Sequence, residues 1–298
     1  MRIDILEVKP KRNIIKVIAI VIITLLLIAF FSMLGIYCAK LYKTKLINDK
    51  NKNYNNISIQ VENNNNIEDR EQVKKTLTPV YSENSKKEMK NIYNENTKIA
   101  YLTFDDGPSA AVTPLILDVL KQENVKATFF VLGTNIKKNP EILKRAYLEG
   151  HYIANHGYSH NYKKIYSNAK SVLEEYNKTE KEIQNAIGNK QYSSYLFRFP
   201  GGFEGGRYAK VKKEAAKLLN KNDISYIDWN VLTGDAEGAN TKEKIMKNIE
   251  KHTKDKGNIV VLMHDASSKI LTYETLKDVI DYLRNQGYTF DNFYSIMQ

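Results

Sequence analysis

Cysteine is almost missing: Cys38 is the single one in a chain of 298 residues. That excludes an intrachain disulfide and any cysteine-built metal cluster. A serine nucleophile elbow is missing too. Its nearest approach, Gly157-Tyr158-Ser159-His160-Asn161, lacks the closing glycine, which argues against a serine hydrolase. Acidic charge is in deficit, with a formal net charge of +11, yet the excess does not read as a nucleic-acid interface. Residues 1–97 hold 16 Lys and Arg against 10 Asp and Glu, and residues 98–298 hold 29 against 24, with no basic block interleaved with aromatics. Nucleic acid is therefore excluded as the expected partner. Histidine is sparse as well, and the 5 present are unevenly placed.

One long apolar run is present. From Val17 to Ala39 no charged residue occurs. As a helix, about 23 residues span roughly 35 Å, enough to cross a hydrocarbon core of about 30 Å. A cleavable signal would have a shorter core and a small-residue exit, whereas this one ends Ile36-Tyr37-Cys38-Ala39. The reading is an uncleaved transmembrane anchor over 17–39 behind a cytoplasmic N-terminus, 1–16, which carries Arg2, Lys9, Lys11, Arg12 and Lys16. Residues 40–97, rich in Asn, Lys, Glu and Ser, have too little apolar surface to repay the entropy of ordering and read as a flexible linker. Within it, 57–61 and 77–81 could pair as strands or pack on the domain.

From residue 98 onward, short apolar runs alternate with amphipathic segments. Strands are expected over 99–104, 127–132, 152–155, 195–199, 225–229, 259–263 and 288–290, and helices over 113–123, 140–149, 168–187, 209–220, 241–252 and 271–286. Strands interleaved with helices predict a parallel α/β sheet, either doubly wound or closed as a barrel. The unusual polar residues fall at C-terminal strand ends, the face on which such sheets build active sites.

The first strand runs Ala100-Tyr101-Leu102-Thr103-Phe104 into Asp105-Asp106-Gly107-Pro108-Ser109. Neighbouring side chains on a strand point to opposite faces, so one carboxylate can serve a metal and the other a proton. His156 and His160, four apart beyond the third strand, have the spacing to share one cation, and Asp106 completes a set with open coordination positions. His264, leaving the apolar strand Val260-Val261-Leu262-Met263, is a natural proton donor near neutral pH. Arg198 puts a permanent charge into a buried-looking strand and needs a buried anion, for which Asp105 is the obvious partner. By the same logic Asp228 should be paired, with His264 as its expected neighbour. Trp229 either packs in the core or lines a sugar groove, and Gly201-Gly202 after Pro200 lets backbone approach a ligand.

Taken in order, Thr103-Phe104-Asp105-Asp106-Gly107-Pro108-Ser109, His156-x-x-x-His160, Arg198-x-Pro200, Asp228-Trp229 and Leu262-x-His264 resemble the five motifs of the polysaccharide deacetylases, the NodB-homology proteins of carbohydrate esterase family 4. The resemblance covers about 200 residues, from 98 to the C-terminus. It implies a distorted parallel (β/α) barrel of seven or so strands. It also implies a divalent metal, usually zinc, with cobalt, manganese or nickel as alternatives, and hydrolytic removal of N-acetyl groups from amino-sugar polymers. Asp105 is then the catalytic base, Asp106, His156 and His160 the metal ligands, and His264 the catalytic acid, while Arg198 tunes Asp105 and Asp228 orients His264. Pro200, Gly201, Gly202, Trp229 and Leu262 are the expected substrate contacts. Two departures stand out: Gly157 occupies the place where the family usually has Ser or Thr, and Gly201 the place of a larger residue.

The expected reaction is water attack on an acetamide, with Asp105 taking the proton, a backbone N–H near Gly201 or Gly202 holding the oxyanion, and His264 protonating the departing amine. An anchored domain outside the cell faces the wall, and a mildly basic surface suits an anionic polymer, so N-acetylglucosamine of peptidoglycan is the expected substrate. N-acetylmuramic acid, exopolysaccharide and chitin oligomers are the alternatives. A glycosidase using Asp105 and Asp228 would leave the clustered histidines without a role. A non-catalytic wall-binding module on a membrane stalk is the rival from another class.

Overall fold

The structure is a computed structural model that describes residues 77–297. The expected cytoplasmic N-terminus, transmembrane anchor and most of the linker lie outside these residues. Among the described residues no helix is long and apolar enough to cross a membrane.

In chain order the elements are α1 (Glu83–Asn91), β1 (Ile99–Asp105), α2 (Thr113–Gln122), β2 (Thr128–Val131), α3 (Gly133–Ile136), α4 (Pro140–Leu148), β3 (Tyr152–Asn155), α5 (Tyr162–Ile165), α6 (Ala169–Ile187), β4 (Leu196–Phe197), α7 (Ala209–Asn220), β5 (Ser225–Tyr226), β6 (Val231–Leu232), α8 (Lys242–Thr253), β7 (Ile259–His264), α9 (Ile270–Asn285) and β8 (Thr289–Asp291). Seven strands form one curled sheet in the order β5-β4-β3-β2-β1-β7-β6, and β8 joins β1. Every pairing is parallel. The parallel α/β sheet expected from the sequence is present, and of the two forms left open it takes the barrel-like one that the resemblance implied, curled and open between β5 and β6. On one side β1 is shared, with β8 along Ile99–Tyr101 and β2 along Thr103–Asp105.

Strand parity decides what faces inward. Ala100, Leu102 and Phe104 of β1, with Ile259, Val261 and Met263 of β7, pack into a core with α2, α4, α8 and α9. The alternate residues turn to the concave side. There Tyr101 and Val260 meet Met89 and Ile92 from α1 and its cap and Phe293, Ile296 and Met297 from the C-terminus. These apolar groups plug the barrel at its N-terminal end. Thr103 and Asp105 of β1, and Leu262 and His264 of β7, continue the same inward parity toward the other end.

Three expectations change. The expected linker ends earlier, because Leu77 and Tyr81 pack on the domain and α1 follows. That helix forms in a polar stretch because Ser82 and Ser85 close a capping box, and Met89 and Ile92 anchor one face. The fourth and fifth strands are two residues each rather than five. Phe199 ends the fourth by closing a turn with Gly202 N. The short β6, Val231–Leu232, was not expected at all, since two residues carry no readable alternation.

Candidate active site

Arg198 is the centre of the charge arrangement. It is fully buried directly after β4, with its Nη1 donating to Thr103 Oγ1 at 2.7 Å and Asp105 Oδ1 at 2.9 Å. Nε donates to Ile227 O and Nη2 to Asp228 O, so the guanidinium fork is satisfied at four oxygens. The expected Asp105 partnership is present. Only one Asp105 oxygen is used by it. The other, Oδ2, lies 3.7 Å from His156 Nε2. Burial pushes the Asp105 pKa up, opposed by the charges of Arg198 and His264.

Asp106, His156 and His160 converge, with one ligand atom from each within 4.8 Å of the others. Asp106 Oδ1 sits 3.7 Å from His156 Nε2 and 3.4 Å from His160 Nε2. His156 Nδ1 lies 2.8 Å from Arg198 O, which fixes the ring and leaves Nε2 to face the carboxylate. Burial drives His156 down to about 3, so its imidazole is neutral at physiological pH and able to ligate. Asp106 Oδ1 is buried without a hydrogen-bond partner. Two imidazole nitrogens around an orphaned carboxylate oxygen fit a divalent cation. Asp106 and His160 both hold left-handed backbone, φ +76° and +52°, a strain that non-glycine residues carry where function fixes their direction.

His264 ends β7, in register with Asp105 of β1. Its partner is not the expected one. Asp235 Oδ1 lies 2.9 Å from His264 Nδ1, while Asp235 Oδ2 accepts from His264 N and from Thr272 Oγ1. Burial alone would lower the His264 pKa, but the Asp235 bond and charge, with Asp105 and Asp106, outweigh it and raise it to about 9. Asp235 itself is held below the usual carboxylate range: burial opposes this, and its bonds to His264 and Thr272 prevail. Asp228 instead accepts from Phe203 N with both oxygens, at 3.0 and 2.9 Å. It organises the Gly201-Gly202-Phe203 turn rather than the imidazole. The reason is geometric: Asp228 follows β5 and Asp235 follows β6, and β6 is the strand beside β7. The signal for Asp235 was a carboxylate next to a glycine after a short apolar pair, Val231-Leu232-Thr233-Gly234-Asp235, although the glycine here precedes the carboxylate whereas at the end of β1 it follows.

The expected substrate residues divide. Gly201 is exposed and carries no amide hydrogen bond among the described residues, whereas the Gly202 amide is closed onto Phe199 O. Of the two amides, that of Gly201 is the one left free to donate among the described residues. Trp229 is half-buried over Gly202, where an added Cβ would lie 3.1 Å from the indole. Pro200 is buried and its carbonyl accepts from Tyr166 Oη. Leu262 is buried one alternation below His264. Tyr162, which the sequence reading passed over, is exposed with its ring centroid 5.4 Å from that of His160.

Residues 92–224 match the family model described as polysaccharide deacetylase. A peptidoglycan-N-acetylglucosamine deacetylase of Bacillus cereus is 34% identical over 203 residues, covering 66% of this chain and 70% of that protein. For another relative of that description the share spanned falls to 36%. A Streptococcus mutans CE4 esterase structure superposes with a TM-score of 0.63 at 34% identity, covering 72% of this chain and 92% of that one. The same fold is shared with a CE4-family pseudoenzyme from Bacillus anthracis, at 27% identity and a TM-score of 0.56, covering 68% of this chain and 66% of that one.

Proposed function

The chain belongs to the polysaccharide deacetylase family, and from that premise we propose that it is an active, metal-dependent hydrolase removing N-acetyl groups from the N-acetylglucosamine of peptidoglycan. The observation that carries activity is the cluster of Asp106, His156 and His160 with its orphaned carboxylate oxygen beside an Arg198-anchored Asp105. A binding module has no need of such a set. Relatives of the same family named for peptidoglycan support the substrate. A membrane anchor over 17–39, with the domain outside the cell, is part of the proposal.

Asp106, His156 and His160 would hold the divalent ion, zinc in our reading. When bound, it supplies Lewis acidity to the acetamide carbonyl and to the attacking water. Asp105 keeps one oxygen on Arg198 and turns Oδ2 toward His156, where it takes the proton as water adds to the carbonyl carbon. The free Gly201 amide is the candidate donor to the resulting oxyanion. His264, charged and held by Asp235, gives its proton to the sugar nitrogen as the C–N bond breaks. Acetate and a free amine leave, and the polymer keeps its length.

Mass spectrometry of muropeptides before and after incubation tests this. Loss of acetyl groups is expected, abolished by Asp105→Asn and by chelation. Unmodified muropeptides alongside deacetylated chitin oligomers or exopolysaccharide would move the substrate, and no amine on any of them would overturn the activity.

A further inference from the structure

The two histidine ligands are supported in different ways. His156 is held by the sheet: its N donates to Val131 O and its ring meets Arg198 O. His160 lies beyond the strand in left-handed backbone, its side chain one-third exposed at 34%. Its ring lies against the rings of His156 and Tyr162 and has Asp106 Oδ1 3.4 Å from Nε2, and no hydrogen bond to the ring orients it among the described residues. Its direction must come from the backbone of the 157–161 loop.

The start of that loop is tied to Asn155 Oδ1 through Gly157 N and to the Gly133 and Thr134 amides through the Gly157 and Tyr158 carbonyls, while the two amides just before His160 converge on one side chain. Glu175, on the second turn of α6, is 3% exposed. Its Oε2 accepts from Tyr158 N at 2.8 Å and Ser159 N at 2.7 Å, and Ser159 Oγ donates across the carboxylate at 2.9 and 3.0 Å. Ser159 Oγ in turn accepts from Asn161 N, so the residues flanking His160 are tied to the same carboxylate. No lysine or arginine pairs with Glu175 among the described residues, and its buried charge is satisfied by this loop. Gly157 cannot contribute. It has no side chain, and a Cβ there would approach Ile165 Cδ1 to 2.9 Å.

We propose that Glu175 is a positioning residue for the metal centre: from α6 it clamps the backbone at Tyr158 and Ser159 and so sets the direction from which His160 faces Asp106. Outer partners of ligands commonly carry a 10- to 100-fold share of metal affinity. The clamp works by reach and acceptor geometry rather than by net charge. A glutamine at 175 keeps an oxygen for the two amides and turns its NH₂ to the Ser159 hydroxyl oxygen. An aspartate keeps the charge but falls one methylene short.

This rests on the reading of Asp106, His156 and His160 as a metal site, and the test separates the two. Zinc affinity is measured by chelator competition on the purified protein, with the thermal midpoint of the metal-free form recorded alongside. Glu175→Ala and Glu175→Asp should bind zinc about 10- to 100-fold more weakly, and Glu175→Gln within about 3-fold of the parent. Should the alanine variant not fold, the Asp and Gln pair carries the comparison. Parent-like affinity in Glu175→Asp, or loss in Glu175→Gln equal to that in Glu175→Asp, overturns the clamp. A parent protein binding no zinc that Asp106→Asn abolishes overturns the metal site itself and the clamp with it.

Discussion

Asp235 Oδ1 and His264 Nδ1 lie 2.9 Å apart, joining the loop after β6 to the end of β7. The pair raises His264 from its ordinary value of 6.5 to about 9, with burial as the opposing influence. A raised folded-state pKa means that this contribution to stability is complete below about pH 6.5 and fades as pH rises through about 9. It also means that His264 carries its proton at neutral pH.

Asp235→Asn should therefore lower the His264 pKa in the metal-free protein by about a unit or more, read by NMR titration of the imidazole. The alkaline limb of the rate profile should move to lower pH with it. Asp228→Asn, which loosens the Phe203 turn, should leave the imidazole titration where it was. If the Asp228 variant shifts it and the Asp235 variant does not, the assignment of partners is wrong.

Arg198 offers a second test, because a buried ion pair broken on one side leaves an uncompensated charge. Arg198→Met strands Asp105 and Thr103 and should cost about 3–5 kcal/mol in urea denaturation, with activity lost. Adding Asp105→Asn removes the stranded carboxylate, so the double variant should be more stable than Arg198→Met alone while remaining inactive. Equal stability of the two would show that Arg198 does not compensate Asp105.

The strap ahead of β1 gives a prediction about folding. Ile92 is 2% exposed and Met89 is 7% exposed, both against the barrel's inner cluster. Ile92→Ala should lower unfolding free energy by about 2–5 kcal/mol. A chain starting at residue 98 opens the plug and should lose cooperative melting. Retained cooperativity would mean that α1 is a surface appendage.

What was legible from sequence followed from periodicity and charge. Asp105, Asp106, His156 and His264 stand where strands of four or more residues end, and Arg198 announced its need for an anion by its burial. Asp235 was hidden because β6 is two residues long, which drew Asp228 into a role that adjacency to Trp229 made plausible. Glu175 was hidden for a different reason. Next to Glu174 on an amphipathic helix it reads as solvated, and only the tertiary fold turns it under the ligand loop. The strap was missed because two apolar contacts in a polar stretch give no period.

Gly107 tests how tightly the end of β1 is held. Its backbone is not left-handed, so space alone forbids a side chain there. A Cβ would run into Asp265 Oδ2 and lie within 2.5 Å of Asp265 Cγ. Asp265 cannot swing away: it is fully buried, its Oδ2 accepts from Thr113 Oγ1 at 2.6 Å, and its carbonyl accepts from Ser109 Oγ at 2.6 Å. Gly107→Ala must therefore displace the backbone next to Asp106. Overpacking of this kind costs about 1–3 kcal/mol, and the displacement should also weaken zinc binding, since Asp106 immediately precedes it. Adding Asp265→Ala empties the contested volume, so stability should rise above that of Gly107→Ala alone. Parent-like denaturation and zinc affinity in Gly107→Ala would show that the strand end yields, and that Asp105 and Asp106 are not fixed by the packing beneath them.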